Sequence, residues 1–209
     1  MEKLRELVKT GKAPETEARV KELLSQKVPP EKILQEGLIA AMDEVGDLFQ
    51  QGEYFVPEML VAARAMHRGL AIIKPMVVAK GIKPIGKVVL GTVKGDLHDI
   101  GKNLVSMALE GAGFEVVDLG TDASPEKFVA AIKEHQPQVV GLSALLTTTM
   151  LSMKDVIQAL KTAGVRDRVK VMIGGAPIRQ EYADEIGADY FGKDSTAARD
   201  IARQVVSGE

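Results

Sequence analysis

The stretch "KVVLGTVKGDLHDIGKNLVSMALEGAG", Lys87–Gly113, runs from an apolar, β-branched segment through a loop of glycines, aspartates and one histidine into a helical pattern. Strand, loop and helix in that order are the repeating unit of a parallel sheet. The unit recurs downstream. "FEVVDLG" from Phe114, "QVVGLSAL" from Gln138 and "KVMIGG" from Lys170 are short, β-branched and apolar on both faces, and helical stretches such as "SPEKFVAAIKEHQ" separate them. Strands of this kind alternating with helices imply a parallel sheet covered on both sides. "ADYFGKD" supplies a fifth, shorter strand and "STAARDIARQVV" a last helix. Residues 86–209 are therefore expected to form a doubly wound, Rossmann-like α/β domain with five parallel strands. Such sheets take ligands beyond the carboxyl ends of their strands.

Upstream the period is helical. Met59, Ala63, Met66, Leu70 and Ile73 recur at spacings of four and three, one stripe on a helix face, with Pro57 in a first turn after "QQGEYF". "PPEKILQEGLIAAMDEVGDLF" carries Leu34, Leu38, Met42, Val45 and Phe49 at similar spacing. Two shorter charged helices, Glu2 to Lys9 and Glu15 to Leu24, complete an antiparallel four-helix bundle expected over residues 1–85.

Composition narrows the class. The 209 residues are 45% hydrophobic and 27% charged, with a formal net charge of -2, so neither a nucleic acid nor an anionic membrane is an expected partner. Absence of cysteine rules out disulfides, iron–sulfur clusters and thiolate zinc sites. With no tryptophan and 4% aromatics, the core is aliphatic, and nine methionines serve as adaptable filler. "MEKLRELVKTGK" lacks the apolar segment of a signal peptide, and no stretch approaches the roughly 20 apolar residues of a membrane span. The expected setting is the cytoplasm.

The residues of interest cluster after the strands. Gly95-Asp96-Leu97-His98-Asp99-Ile100-Gly101 follows the first. A neutral imidazole there can bind a transition metal through one ring nitrogen, while a carboxylate two residues back accepts from the other. Asp96 is placed for that role, and Asp99 for capping the next helix. A turn or phosphate loop with an incidental histidine is the alternative on spacing alone. His67 reads as a helix-surface histidine and His135 as a helix C-terminal residue. One histidine cannot complete an all-protein metal site, so a metal at His98 would arrive with most of its ligands attached. That description fits a macrocycle, haem or corrin, and haem usually sits in helical or β pockets rather than on a doubly wound sheet.

Asp96-x-His98-x-x-Gly101 resembles the cobalamin-binding motif of corrinoid proteins in cobalamin-dependent methyltransferase systems, including the module of cobalamin-dependent methionine synthase. Ser143-Ala144-Leu145 after the third strand is similar to that family's S-x-L element, and Gly174-Gly175 after the fourth to its paired glycines. The helical half, in "GLIAAMDEVGDLFQQGEYFVPEML", resembles the family's cap module. The resemblance covers essentially the whole chain. It implies a cobalamin or related corrinoid with His98 as the lower axial ligand of cobalt. It also implies a slot for the displaced nucleotide tail along Ser143, Leu145, Gly174 and Gly175, with Gly95, Asp99, Gly101, Thr147 and Asp194 as further contacts. By matched position Thr149 stands where many relatives carry serine, so Asp96, His98 and Thr149 form the expected ligand-switch chain. Glu36, Phe49 and Val56 match cap positions over the upper face.

The function so implied is that of a methyl carrier. It accepts a methyl group on Co(I) from a substrate-specific methyltransferase and hands methyl-Co(III) to a second methyltransferase with a folate or thiol acceptor. A corrinoid reductive activase is a further expected partner. The chain is a cofactor-bearing subunit rather than a complete catalyst. Two alternatives belong to other classes, a cobalamin-dependent sensor or regulator and a subunit of an adenosylcobalamin mutase. The regulator would call for a DNA-binding module and often a tryptophan, the mutase for a catalytic barrel, and the sequence carries none of these.

Overall fold

The computed structural model describes residues 1–81 and 83–208, which divide into two compact units: Met1–Pro84 with Glu110–Gly113, and Ile85–Leu109 with Phe114–Glu209. The first is helical. It contains α1 (Glu2–Lys9), α2 (Ala13–Ser25), a single turn α3 (Pro30–Lys32), a π-helical segment (Ile33–Ile39), α4 (Ala40–Gln50) and α5 (Val56–Ala79). Leu4, Val20, Leu38, Val45, Met59, Met66 and Ile73 are buried among these helices. Gly69 of α5 lets that helix approach closely, because a Cβ there would lie 2.9 Å from Leu38 Cδ2 and 3.3 Å from Val20 Cγ2.

The segment from Pro30 to Gln50 departs from the uniform α-helix that its periodicity predicts, since Ile33–Ile39 is wound as a π-helix. The wider winding changes which residues share a face: Ile33 and Leu38, five apart, are both fully buried, while Leu34 is only half-buried. A 3.6-residue period selects Leu34, and packing selects Ile33. Gly37 within the segment faces Leu4 so closely that a Cβ would clash with Leu4 Cδ2.

The second unit is a five-stranded parallel sheet of β1 (Lys87–Thr92), β2 (Glu115–Asp118), β3 (Val139–Ser143), β4 (Lys170–Gly174) and β5 (Tyr190–Phe191), in the order β2-β1-β3-β4-β5. The helices α6 (Ile100–Gly111), α7 (Pro125–His135), α8 (Leu151–Thr162) and α9 (Gln180–Ile186) connect successive strands, and α10 (Ser195–Ser207) follows the last. Val89, Val140, Leu142, Val171 and Ile173 pack with Phe128, Ile132, Met153, Ile157, Leu160 and Ala183 into one core. Alternate residues turn to the opposite face, where Leu90 fills the space over Gly141, and Met172 and Ala198 close over Gly192. The expectation that every strand is buried on both faces fails for β2. It lies at the sheet edge, with Glu115 and Asp118 exposed and Val116 and Val117 half-buried.

The strand order decides where a ligand can sit. From β1 the chain moves out to β2 and then returns past β1 to β3, so the connections leave the carboxyl ends of β1 and β3 in opposite directions. The crevice opened at such a switch point is where doubly wound sheets bind ligands. Among the described residues no helix is long and apolar enough to cross a membrane.

Candidate functional site

The β1–α6 loop and the segment after β3 meet at this switch point. Asp96 is fully buried there, and its carboxylate is saturated with donors. Oδ1 accepts the backbone N–H of His98 at 2.9 Å and lies 2.8 Å from His98 Nδ1. Oδ2 accepts the Leu145 N–H at 2.8 Å and the Thr149 hydroxyl at 2.5 Å. Burial alone would push the Asp96 carboxyl upward. The Thr149 hydroxyl, the His98 and Leu145 amides and the imidazole together override it and hold the group well below the usual carboxylate range. Asp96 is an ionised acceptor, so Nδ1 of His98 carries the hydrogen, and in the neutral imidazole the lone pair then falls on Nε2. No described residue pairs with that nitrogen, and the side chain is 51% exposed.

The loop is stitched in place from below. Thr92 Oγ1 donates to the His98 carbonyl at 3.0 Å. Gly95 takes a positive φ of 84° and donates its N–H to Asp122 Oδ1 at 2.7 Å, while the Asp122 N–H reaches the Asp96 carbonyl at 3.0 Å. Asp122 itself adopts φ 51°, a left-handed conformation that aspartate tolerates better than most residues. Sequence reasoning missed Asp122, for nothing in "LGTD" distinguishes it from any loop aspartate.

Among the described residues no three His, Asp or Glu side chains converge to hold a metal ion. A metal at Nε2 must therefore bring its other ligands.

The sequence itself places this constellation in a family. A B12 binding domain model matches residues 86–202, and a second B12 binding domain model matches residues 1–74. This chain belongs to the B12-binding corrinoid proteins. It is 44% identical over 187 residues to trimethylamine corrinoid protein 1 of Methanosarcina acetivorans, covering 88% of this chain and 87% of that one. Dimethylamine corrinoid protein 3 of the same organism is 45% identical over 179 residues, 86% of this chain and 84% of that one. Among solved structures, the methanol:cobalamin methyltransferase complex MtaBC from Methanosarcina barkeri matches with TM-score 0.90 at 28% identity, covering 99% of this chain and 79% of that chain. A cobalamin-binding protein from Desulfitobacterium hafniense matches with TM-score 0.79 at 30% identity, covering 98% and 97%. The cofactor of this corrinoid protein is cobalamin or a related corrinoid.

The residues at the switch point fit such a group. Leu97 in the loop after β1 and Ile100 at the start of α6 are each 73% exposed, and Leu145 and Leu146 after β3 and Leu151 at the start of α8 are also exposed. Exposed apolar side chains in the segments that follow β1 and β3 suit the flat, largely apolar face of a macrocycle, and His98 Nε2 suits a metal at its centre. Gly101 opens α6 with nothing within 4 Å of where its Cβ would stand.

The other expected residues of the corrinoid protein are distributed as follows. Ser143 ends β3, half-buried, and Thr147 is exposed on the loop behind Leu145. Thr149 is buried and donates its hydroxyl to Asp96. Asp99 precedes α6, with its carboxylate accepting from Asn103 Nδ2 at 3.1 Å. Gly174 ends β4, and Gly175 takes φ 135°. A Cβ on Gly175 would meet the Ala144 carbonyl oxygen at 1.8 Å, so the fold itself demands glycine there, whatever binds beside it. Asp194 caps α10, Oδ1 accepting the Ala197 N–H at 2.7 Å. In the helical unit, Glu36 lies exposed on the π-helical segment 3.7 Å from Lys32, and Phe49 and Val56 are half-buried near the end of α4 and the start of α5.

Proposed function

We propose that this protein is a methyl carrier that binds its corrinoid with His98 as the lower axial ligand of cobalt. The observation that carries the reading is the Asp96–His98–Thr149 chain, with one ring nitrogen engaged by a buried carboxylate and the other free at the sheet's switch point. When bound, the corrinoid supplies a metal that can accept and release a methyl group.

The chain's residues provide the rest. Asp96 fixes the tautomer and orientation of His98, so that Nε2 presents its lone pair outward. His98 would hold the metal through Nε2, with its Nδ1 kept on the Asp96 carboxylate. Asp96 stays an acceptor, since four donors stabilise its ionised form. Thr149 and the Leu145 amide keep the carboxylate aimed. Ser143, Leu145, Gly174 and Gly175 line the tail slot, with Gly95, Asp99, Gly101, Thr147 and Asp194 around it, and Glu36, Phe49 and Val56 belong to the cap.

The partners are a substrate-specific methyltransferase that delivers the methyl group and a second methyltransferase that removes it, with a reductive activase restoring the cofactor after oxidation. Donor choice rests with the first partner. Relatives named for trimethylamine and for dimethylamine are similar to this chain over most of its length, and a solved methanol:cobalamin methyltransferase complex shares its fold, which supports placing donor choice in the partner.

The test uses the full chain reconstituted with hydroxocobalamin, reduced with titanium(III) and treated with iodomethane in the dark. A carrier keeps its corrinoid through gel filtration in both the reduced and the methylated state, with one methyl group per corrinoid. Release of the corrinoid in either state contradicts the proposal.

A further inference from the structure

Lys102, in the first turn of α6, is only 4% exposed. A buried ammonium costs several kcal/mol unless it is partnered. Its Nζ donates to Asp118 Oδ2 at 2.6 Å and to Asn103 Oδ1 at 2.8 Å. Asp118 ends β2, and its other oxygen accepts the Gly120 N–H at 2.8 Å. Asn103 in turn donates Nδ2 to Asp99 Oδ2 at 3.1 Å and its backbone N–H to the Asp99 carbonyl at 2.8 Å. The cation on one side and the carboxylate on the other fix the orientation of the Asn103 amide, oxygen toward Lys102 and nitrogen toward Asp99. A polar chain thus runs Asp118–Lys102–Asn103–Asp99, and Asp99 is the covalent neighbour of His98.

This chain is the counterpart of the one through Asp96. Asp96 ties the near side of the histidine to Leu145 and Thr149, beyond β3. Asp99 is tied through Asn103 and Lys102 to β2, and β2 and β3 flank β1 on opposite sides. The segment carrying His98 is therefore held at both feet, from both sides of the switch point. The imidazole between them is half exposed with a free Nε2, and its place depends on the backbone beneath it.

We propose that Lys102 is a positioning residue for His98, acting through Asn103 and Asp99 to hold the imidazole where it would meet the metal. This rests on His98 being the axial ligand. Lys102→Met suits the test because Asp118 keeps 40% of its side chain in solvent, so loss of the ammonium strands no buried charge.

The experiment takes the full chain with nitrogen-15-labelled histidine, reconstituted with unlabelled hydroxocobalamin and reduced to Co(II), and reads the nitrogen splitting by electron paramagnetic resonance. A histidine ligand gives doublets, and the nucleotide base of the cofactor gives triplets. Wild type is expected to show doublets. In Lys102→Met the ratio of histidine-bound to histidine-free cobalt should fall about tenfold, the weight of one charged hydrogen bond. Asp118→Asn should shift it in the same direction, and Lys102→Arg should recover part of it. Thermal midpoints are recorded alongside, because a merely structural lysine would lower the midpoint without moving the ratio. Wild-type doublets with an unchanged ratio in folded Lys102→Met overturn this inference and leave His98 as ligand. Triplets in the wild type overturn the ligand itself. Should Lys102→Met not fold, Asn103→Ala, which cuts the relay and leaves the Lys102–Asp118 pair intact, decides in its place: a fallen ratio supports the positioning role, and an unchanged one overturns it.

Discussion

Asp96 accepts four hydrogen bonds on two oxygens, and the hydroxyl of Thr149 supplies the shortest. Thr149→Val is expected to cost about 2 kcal/mol, the loss of a hydrogen bond to a charged, buried acceptor. Thr149→Ser keeps the hydroxyl and should cost about 1 kcal/mol, the loss of one methyl group. Denaturant unfolding of the apoprotein measures both, and equal costs would show that the hydroxyl contributes nothing. Two glycines separate fold from function at the same scale. Gly175→Ala drives a Cβ into the Ala144 carbonyl at a positive φ and should destabilise by about 3 kcal/mol or more. Gly101→Ala meets open space in a helix and should stabilise the apoprotein by up to about 1 kcal/mol, yet weaken corrinoid binding if the cofactor occupies that space. An apoprotein that gains stability with undiminished corrinoid affinity would remove Gly101 from the site.

At the level of elements, the loop after β3 is braced from α9. Tyr182 donates its hydroxyl to the Met150 carbonyl at 2.8 Å, next to Thr149, and burial raises its pKa, with Glu185 and Asp155 adding to the shift. A raised folded-state pKa stabilises fully below the unfolded value and loses that contribution as pH rises past it. The thermal midpoint of the wild type should therefore fall more steeply above about pH 10 than that of Tyr182→Phe. Parallel curves would contradict this. Elements also show what the sequence could and could not announce. The strands β1, β3 and β4 were legible because a strand buried on both faces is an unbroken apolar run. β2 carries similar letters, but its edge position follows from strand order, which periodicity does not encode. The π-helical segment was illegible because Leu34 and Ile33 are equally apolar, and only packing against the other helices chooses between them. The Asp96–His98 pair was legible because its partners stand two residues apart. The bond from Thr149 could be placed only by matched position, since it crosses from one strand end to the next. Lys102 was missed altogether, because a lysine in a helical pattern reads as solvated surface until its burial is seen.

For the molecule as a whole, sheet topology, exposed apolar side chains and imidazole tautomer converge on one place. The order β2-β1-β3-β4-β5 makes the carboxyl ends of β1 and β3 the switch point, exposed Leu97, Ile100, Leu145 and Leu146 stand in the segments that follow those strands, and Asp96 engages His98 at Nδ1, leaving Nε2 free. None of these alone identifies a corrinoid site; together with membership of the corrinoid proteins they make His98 the residue on which the methyl-carrier reading turns. The most direct measurement is the visible spectrum of the full chain reconstituted with hydroxocobalamin, beside that of His98→Ala. Axial ligation by His98 predicts a histidine-coordinated spectrum in the wild type that is absent from the variant, with corrinoid retained in both. Tightly bound corrinoid with identical spectra in the two proteins would contradict it.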